Sequence, residues 1–446
     1  MFRQRVTALR RGANAVSMLS FSRVLQLACV FVVTVLLGRS AGPDALGVLS
    51  IMLAAGFVMQ SVSVAGLAGA ALSALIKPGN DFRHELKSIV FARLIMLPVV
   101  FSVGVAVLLW LPGMSLPGLT VVITFFCGYA VGAFDVGELS HTANGRFHVM
   151  ARRRVMLLVA VAPLTFWFAH SGQLTWTLLG LALESALWQL VLIPGAGISV
   201  GPLAHAREYA RHALVRVWNV RLLWVSSMVS SVGQRVDIFI ISAVLGVYAV
   251  GQYSAVSRPV EASTVVAGSL IAVLIGSIVR GSDSPKDYAV SSIRASRIMF
   301  LTSLTLAFGL VVAGPFLIPF LYGPEFRIAG EIMSVYALSV VFIFLEELLK
   351  LVVVVEKQYR LDLLGNICAI GTKVLLNLVL IPPFGLMGAA VAAVVSRPIG
   401  LIMVFLPSPA GRRILTLVYG GLFLSSRRAQ NVTNKLVRAR RRSESA

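Results

Sequence analysis

Residues 24–38 read VLQLACVFVVTVLLG, an uncharged run closed on either side by Arg23 and Arg39. An α-helix needs about 20 apolar residues to cross the hydrocarbon core of a bilayer. The first expected span, 15–37, meets that length. Eleven further segments of the same kind follow, at 45–75, 89–111, 119–141, 153–170, 174–195, 218–246, 252–279, 296–321, 328–355, 361–381 and 385–407. The whole chain agrees: of its 446 residues 58% are apolar and 13% charged, and its mean hydropathy is +0.88, which excludes an ordinary soluble domain. Backbone groups in lipid must find partners inside the protein, so only helices or a closed barrel serve. The segments lack period-two alternation and are too long for barrel strands. The expected fold is an all-α polytopic membrane protein with twelve transmembrane helices.

Charge sets the expected orientation. One alternate set of gaps holds Arg3, Arg5, Arg10 and Arg11, then Lys77, Arg83 and Lys87, then Arg146, Arg152, Arg153 and Arg154. It continues with Arg207, Arg211 and Arg216, with Arg280, Lys286, Arg294 and Arg297, and with Lys357 and Arg360. The other set holds Arg39 and Arg327 and little else. The positive-inside rule places the first set and both termini in the cytoplasm. The first segment lacks an A-x-A-like cleavage site and is read as a span, not a signal peptide.

The spans divide into an N-terminal lobe at 1–200, a cytoplasmic linker at 201–217, a C-terminal lobe at 218–407 and a basic cytoplasmic tail at 408–446. Two halves of similar size point to a two-bundle transporter. Residues 415–424 are short for a thirteenth span and suit a re-entrant or interfacial amphipathic piece. The net charge of +21 is concentrated in cytoplasmic loops and tail, where it contacts anionic membrane lipids. Nothing resembles a nucleic-acid-binding module, so no nucleic-acid partner is expected. Cys29, Cys127 and Cys368 are far apart, the six histidines are scattered, and no Walker, dinucleotide or HExxH motif occurs. No metal, cofactor or enzymatic activity is expected, and transport energy must come from a gradient.

Local echoes support internal repetition. Val256-Ser257-Arg258-Pro259 recurs as Val395-Ser396-Arg397-Pro398, each after a glycine-containing outward turn, and residues 37–47 carry a related glycine pattern.

Charges inside spans are costly and mark interior cavities or function. Arg23 either snorkels to headgroups or offers a phosphate the fixed donor fork of a guanidinium. Arg93, near a span end, suits snorkelling. Arg235 and Asp237 are two residues apart and cannot face each other on one helix, so each needs a cavity or another helix. Arg258 and Glu261 have spacing for a pair. Arg397 has no acid near it in sequence and is the stronger anion candidate of the two VSRP arginines. Glu346 and Lys350 suit an i,i+4 pair, which leaves Glu347 as a proton or cation site or as a partner for Lys373. Asp135 and Glu138 share a face, and either hold one proton between them or pair with bases elsewhere. Glu184 completes the set.

Several stretches together resemble a known family: LLGRSAGPDALG at 36–47, VDIFII at 236–241 with AVGQYSA at 249–255, FLYGPEF at 320–326, and NLVLIP at 377–382 followed by Gly385, Gly388, Ala389 and Ala390. The chain resembles bacterial polysaccharide flippases of the multidrug/oligosaccharidyl-lipid/polysaccharide exporter superfamily, in the branch that handles O-antigen and exopolysaccharide repeat units. The resemblance implies a V-shaped pair of six-helix lobes in the bacterial cytoplasmic membrane. It implies alternating access for an undecaprenyl-pyrophosphate-linked oligosaccharide, a cationic cavity, and polysaccharide polymerase and glycosyltransferases as neighbours. In that picture Arg23, Arg235, Arg258 and Arg397 attract the pyrophosphate, and Asp135, Glu138, Asp237, Glu261, Glu347 and Lys373 serve gating or ion coupling. The related peptidoglycan-precursor flippases carry two further C-terminal helices, and the short segment after residue 407 argues against that branch. Two other classes stay open: a cation-coupled multidrug antiporter, for which Asp135, Glu138 and Glu184 would be coupling acids, and a non-transporting scaffold of polysaccharide assembly.

Overall fold

The computed structural model describes residues 2–64, 67–77, 81–109, 118–197, 206–219, 221–281 and 284–423. The side chains of the first twenty residues and the tail beyond 423, with the basic charges expected there, lie outside that description. Among the described residues every regular element is a helix. Seven are long and apolar enough to cross a membrane, or eight if the bent pair Ser227–Gly233 and Val236–Leu245 counts as one span.

Helix and span do not coincide. α1 (Phe2–Val64) runs through the first expected span and into the second, whose remainder lies in α2 (Leu67–Ile76), and α1 is interrupted only at Gly42, with φ 76° and ψ −175°. The chain turns there on a single residue, so a hydropathy window sees a gap where the backbone has only an elbow. The opposite occurs at 119–141, one apolar segment that divides into α4 (Leu119–Gly132) and α5 (Val136–Ala143).

The chain folds as two compact units, Met1–Gly251 and Gln252–Ala446. In the first, α1 packs on α6 (Phe147–His170) and α3 (Phe82–Leu109), while α4 and α6 both pack on α7 (Leu174–Leu192). Its core includes Leu37, Leu46, Leu49, Ile51, Met52 and Met59, all fully buried. α8 (Ala206–Asn219) lies on α3, with His84 3.7 Å from Glu208. α9 (Arg221–Gly233) and α10 (Val236–Leu245) lie against α1, where Trp224 Nε1 donates to the Val62 carbonyl at 2.7 Å.

α11 (Val247–Gly281) begins in the first unit and continues into the second. There α12 (Pro285–Tyr322) is the central rod, packed by α13 (Arg327–Tyr336), α14 (Ser339–Val355) and α16 (Pro409–Phe423). α15 (Tyr359–Phe405) carries its own elbow at Gly385. Buried Gln252 clamps the turn that follows α12: its Nε2 donates to the Glu325 carbonyl at 2.7 Å, and its Oε1 accepts the Ala329 N–H at 3.1 Å. The interfacial piece expected at 415–424 is part of a full helix, α16. Ile414, Leu417 and Val418, at i, i+3 and i+4, put one apolar stripe against protein, and Ser296 donates to the Val418 carbonyl. The outer face of α12 is the reverse of a soluble protein's. Leu301, Leu304, Phe308, Val312, Phe316 and Phe320 follow one another along the helix, and all are exposed, Phe316 by 78%. Such a stripe is stable only in an apolar surrounding.

Candidate functional site

A polar cluster lies in the first unit, inside helices that are otherwise apolar. Arg23 and Gln26 sit three residues apart on α1, and Glu184 and Trp188 four apart on α7, so each pair shares a helix face. Glu138 arrives on the short α5, which exists because α4 stops at Gly132 and the chain restarts its helix after Asp135. Arg154 comes from α6. Arg23 Nη2 lies 3.3 Å from Glu138 Oε1, and Trp188 Nε1 donates to Glu138 Oε2 at 3.4 Å. Gln26 Nε2 donates to Glu184 Oε1 at 3.2 Å. The Arg154 guanidinium stacks 3.6 Å from the centre of the Trp188 ring, within electrostatic reach of Glu138, Glu184 and Arg23. Two cations, two carboxylates, an amide and an indole therefore meet where four helices converge.

The two acids of α5 part company. Asp135 turns to α3 and receives Arg93 Nε at 2.7 Å and Nη2 at 3.1 Å, while Glu138 faces Arg23. The expectation that Arg93 snorkels to headgroups is corrected: it is 1% exposed and held by both carboxylate oxygens. The helix break accounts for this, because it points the Asp135 side chain inward opposite Arg93. Arg23 differs in kind, with a side chain 63% exposed and one long contact to its acid.

Arg235 begins α10, its guanidinium 5.1 Å from the centre of the Phe57 ring. Asp237 is buried in the first turn of α10, where its Oδ1 accepts the Ile238 N–H at 3.2 Å and its charge suits the helix N-terminus.

The second unit holds its own charges. Arg258 Nη1 meets Glu261 Oε2 at 3.3 Å on α11. Arg397 on α15 pairs with Glu346 on α14, an acid 51 residues away in sequence. Lys350 Nζ reaches Glu346 at 3.4 Å and Glu347 at 2.7 Å, so Glu347 takes a partner on its own helix. Lys373 is half-buried on α15. The sequence thus carried the charged residues of both units and the local pairs Arg258 with Glu261 and Glu346 with Lys350, but not the pairings between helices, and its reading missed Arg154. That residue ends a run of three arginines assigned to loop topology; its position inside the expected span 153–170, directly before the apolar stretch that begins at Val155, was the available signal. Its neighbour Arg153 donates to the carbonyls of Val191 and Pro194 at 3.0 and 2.8 Å. It satisfies carbonyls at the end of α7.

Beside the Arg93–Asp135 pair is a cavity of about 860 Å³ lined by α3, α4, α5 and α7, including Leu94, Leu97, Phe101, Val131 and Leu190. Gln189 is a polar side chain in its wall. Among the described residues no cluster of three or more histidine, cysteine or acidic side chains is arranged to hold a metal ion.

No family model and no curated protein sequence matches the chain. Solved structures do. One is the Lipid II flippase MurJ in an inward closed conformation, with TM-score 0.67 and 14% identity, over 95% of this chain and 95% of that one. Another is an inward-facing multidrug resistance MATE family transporter of the MOP superfamily, with TM-score 0.60 and 14% identity, over 88% of this chain and 95% of that one. A third is a MOP superfamily transporter from Pyrococcus furiosus, with TM-score 0.53 and 13% identity, over 91% of this chain and 96% of that one. These likenesses show the fold: a helical membrane architecture shared by MATE transporters and MurJ.

Proposed function

We propose that this protein moves an undecaprenyl-pyrophosphate-linked oligosaccharide between the leaflets of a bacterial cytoplasmic membrane by alternating access. The twelve-span, two-lobe organisation with cytoplasmic termini belongs to the same proposal. The observation that carries it is the contrast between two guanidiniums of the first unit. Arg93 is buried and held by two contacts, as a structural charge would be. Arg23 is largely exposed and holds Glu138 through one 3.3 Å contact, so an incoming anion can replace that carboxylate. A pyrophosphate offers more acceptors than a carboxylate and suits a guanidinium fork. Arg154 stands by as a second cation, stacked on the buried Trp188 ring. The apolar cavity along α3, α4 and α7 supplies hydrocarbon contacts that a polyprenyl tail could use.

The remaining residues enter the proposal by their positions within spans. Arg235, Arg258 and Arg397 are proposed contacts for the headgroup or glycan, and Asp135, Glu138, Asp237, Glu261, Glu347 and Lys373 gating or coupling groups. Polymerase and glycosyltransferases are proposed neighbours. One observation favours a second reading, cation-coupled antiport. The cations of the polar cluster are matched one for one by Glu138 and Glu184, so the site is not strongly positive.

Reconstitution separates the two. Purified protein in proteoliposomes is expected to expose a fluorescent undecaprenyl-pyrophosphate glycan to an impermeant quencher, at a rate proportional to protein. Uptake of organic cations driven by a proton or sodium gradient, without glycan exchange, would establish the antiporter instead.

A further inference from the structure

The two oxygens of Glu138 are held from two different helices. Oε1 lies 3.3 Å from Arg23 Nη2 on α1, and Oε2 accepts the Trp188 indole N–H at 3.4 Å from α7. The two donors differ in freedom. The Arg23 side chain is 63% exposed and ends a long stem. Trp188 is 5% exposed and packs with Met150, Leu157 and Val161 of α6 and Leu192 of α7. The Arg154 guanidinium covers its ring at 3.6 Å. The indole N–H is therefore fixed in place, and the Arg23 guanidinium is not. All of these residues belong to the first unit.

An anion that takes Arg23 breaks the contact to Oε1 and leaves the bond to Oε2. The indole nitrogen is a donor only, and stripping a buried donor of its acceptor costs free energy. Asp135 is held otherwise, both of its oxygens by one guanidinium. Glu138 thus stays within reach of Arg23 while the anion is bound. A competitor carried on the same scaffold acts at a high effective concentration.

We propose that Glu138 is a built-in competitor for the anion site at Arg23, and that Trp188 is the positioning residue that keeps it there. The tethered carboxylate lowers affinity and speeds release, because it covers Arg23 again as the anion leaves. This inference rests on the reading of Arg23 as the anion-binding cation and names the regulation of that same site.

The test measures equilibrium binding and dissociation of radiolabelled farnesyl pyrophosphate, a short prenyl pyrophosphate, on the full chain in detergent, with folding checked for each variant. Glu138→Gln, which removes the competing charge, is expected to tighten binding about tenfold, mainly through slower dissociation. Trp188→Phe keeps a ring under Arg154 but loses the N–H, and is expected to tighten binding about threefold. In the Glu138→Gln background Trp188→Phe is expected to change nothing further, because the indole acts through the carboxylate. A merely structural tryptophan would instead weaken binding in both backgrounds, and that result overturns its positioning role. Glu138→Asp, which draws the carboxylate back by one methylene, carries the test in the same direction if the glutamine variant does not fold. Arg23→Ala separates the two levels. Binding lost in Arg23→Ala but not tightened by the Glu138 variants overturns the competitor alone. Binding unchanged in Arg23→Ala, or absent from both wild type and Glu138→Gln, overturns the anion site and the competitor with it.

Discussion

Asp135→Ala is expected to lower the stability of the folded protein by about 3–5 kcal/mol, the usual cost of removing one member of a buried ion pair. Arg93 is 1% exposed, and two of its nitrogens address the two Asp135 oxygens at 2.7 and 3.1 Å. Without that carboxylate the guanidinium stays buried, out of reach of bulk water. Removing both charges with apolar residues of similar volume, as in Arg93→Met with Asp135→Leu, is expected to restore most of the loss, because the guanidinium leaves together with its carboxylate. Denaturant or thermal unfolding in detergent of the two single variants and the double variant reads this as a strongly non-additive cycle. A wild-type stability for Asp135→Ala would show that the pair is not a structural strut.

Glu346→Ala is expected to cost about 3 kcal/mol for a related reason. This one acid faces Arg397 from α15 and Lys350 from its own helix. Its loss leaves Arg397 without the carboxylate that joins α14 to α15, while Lys350 keeps Glu347 at 2.7 Å. Glu346→Gln retains acceptor and volume and is expected to lose less. The same unfolding measurement applies, and equal losses for Ala and Gln would show that packing, not charge pairing, sets the cost.

These pairs show what the sequence could carry. Apolar run length and the distribution of Lys and Arg were enough for a helical membrane protein, because bilayer thickness and backbone hydrogen bonding leave few options. Charges within spans were visible for the same reason. Partners were not. Arg23 and Glu138 are 115 residues apart, Arg93 and Asp135 42, and Arg397 and Glu346 51. No local period encodes such contacts. Where spacing is local, at Arg258 with Glu261 and Lys350 with Glu346, the expected pairs form. Helix limits failed in both directions. Gly42 turns the chain without a loop, and the break after Gly132 interrupts a helix inside an unbroken apolar segment. Arg154 was hidden by its company: beside Arg152 and Arg153 it reads as topology, and only the fold brings Trp188 beneath it.

The central claim is that Arg23 is the exchangeable cation of a site for a lipid-linked pyrophosphate. Leaflet exchange of the fluorescent glycan, compared between wild type and Arg23→Ala in proteoliposomes with matched amounts of folded protein, tests it most directly. A fall of about tenfold or more, equal to about 1.4 kcal/mol of lost stabilisation, is the predicted result. Exchange at the wild-type rate in the variant would contradict the account.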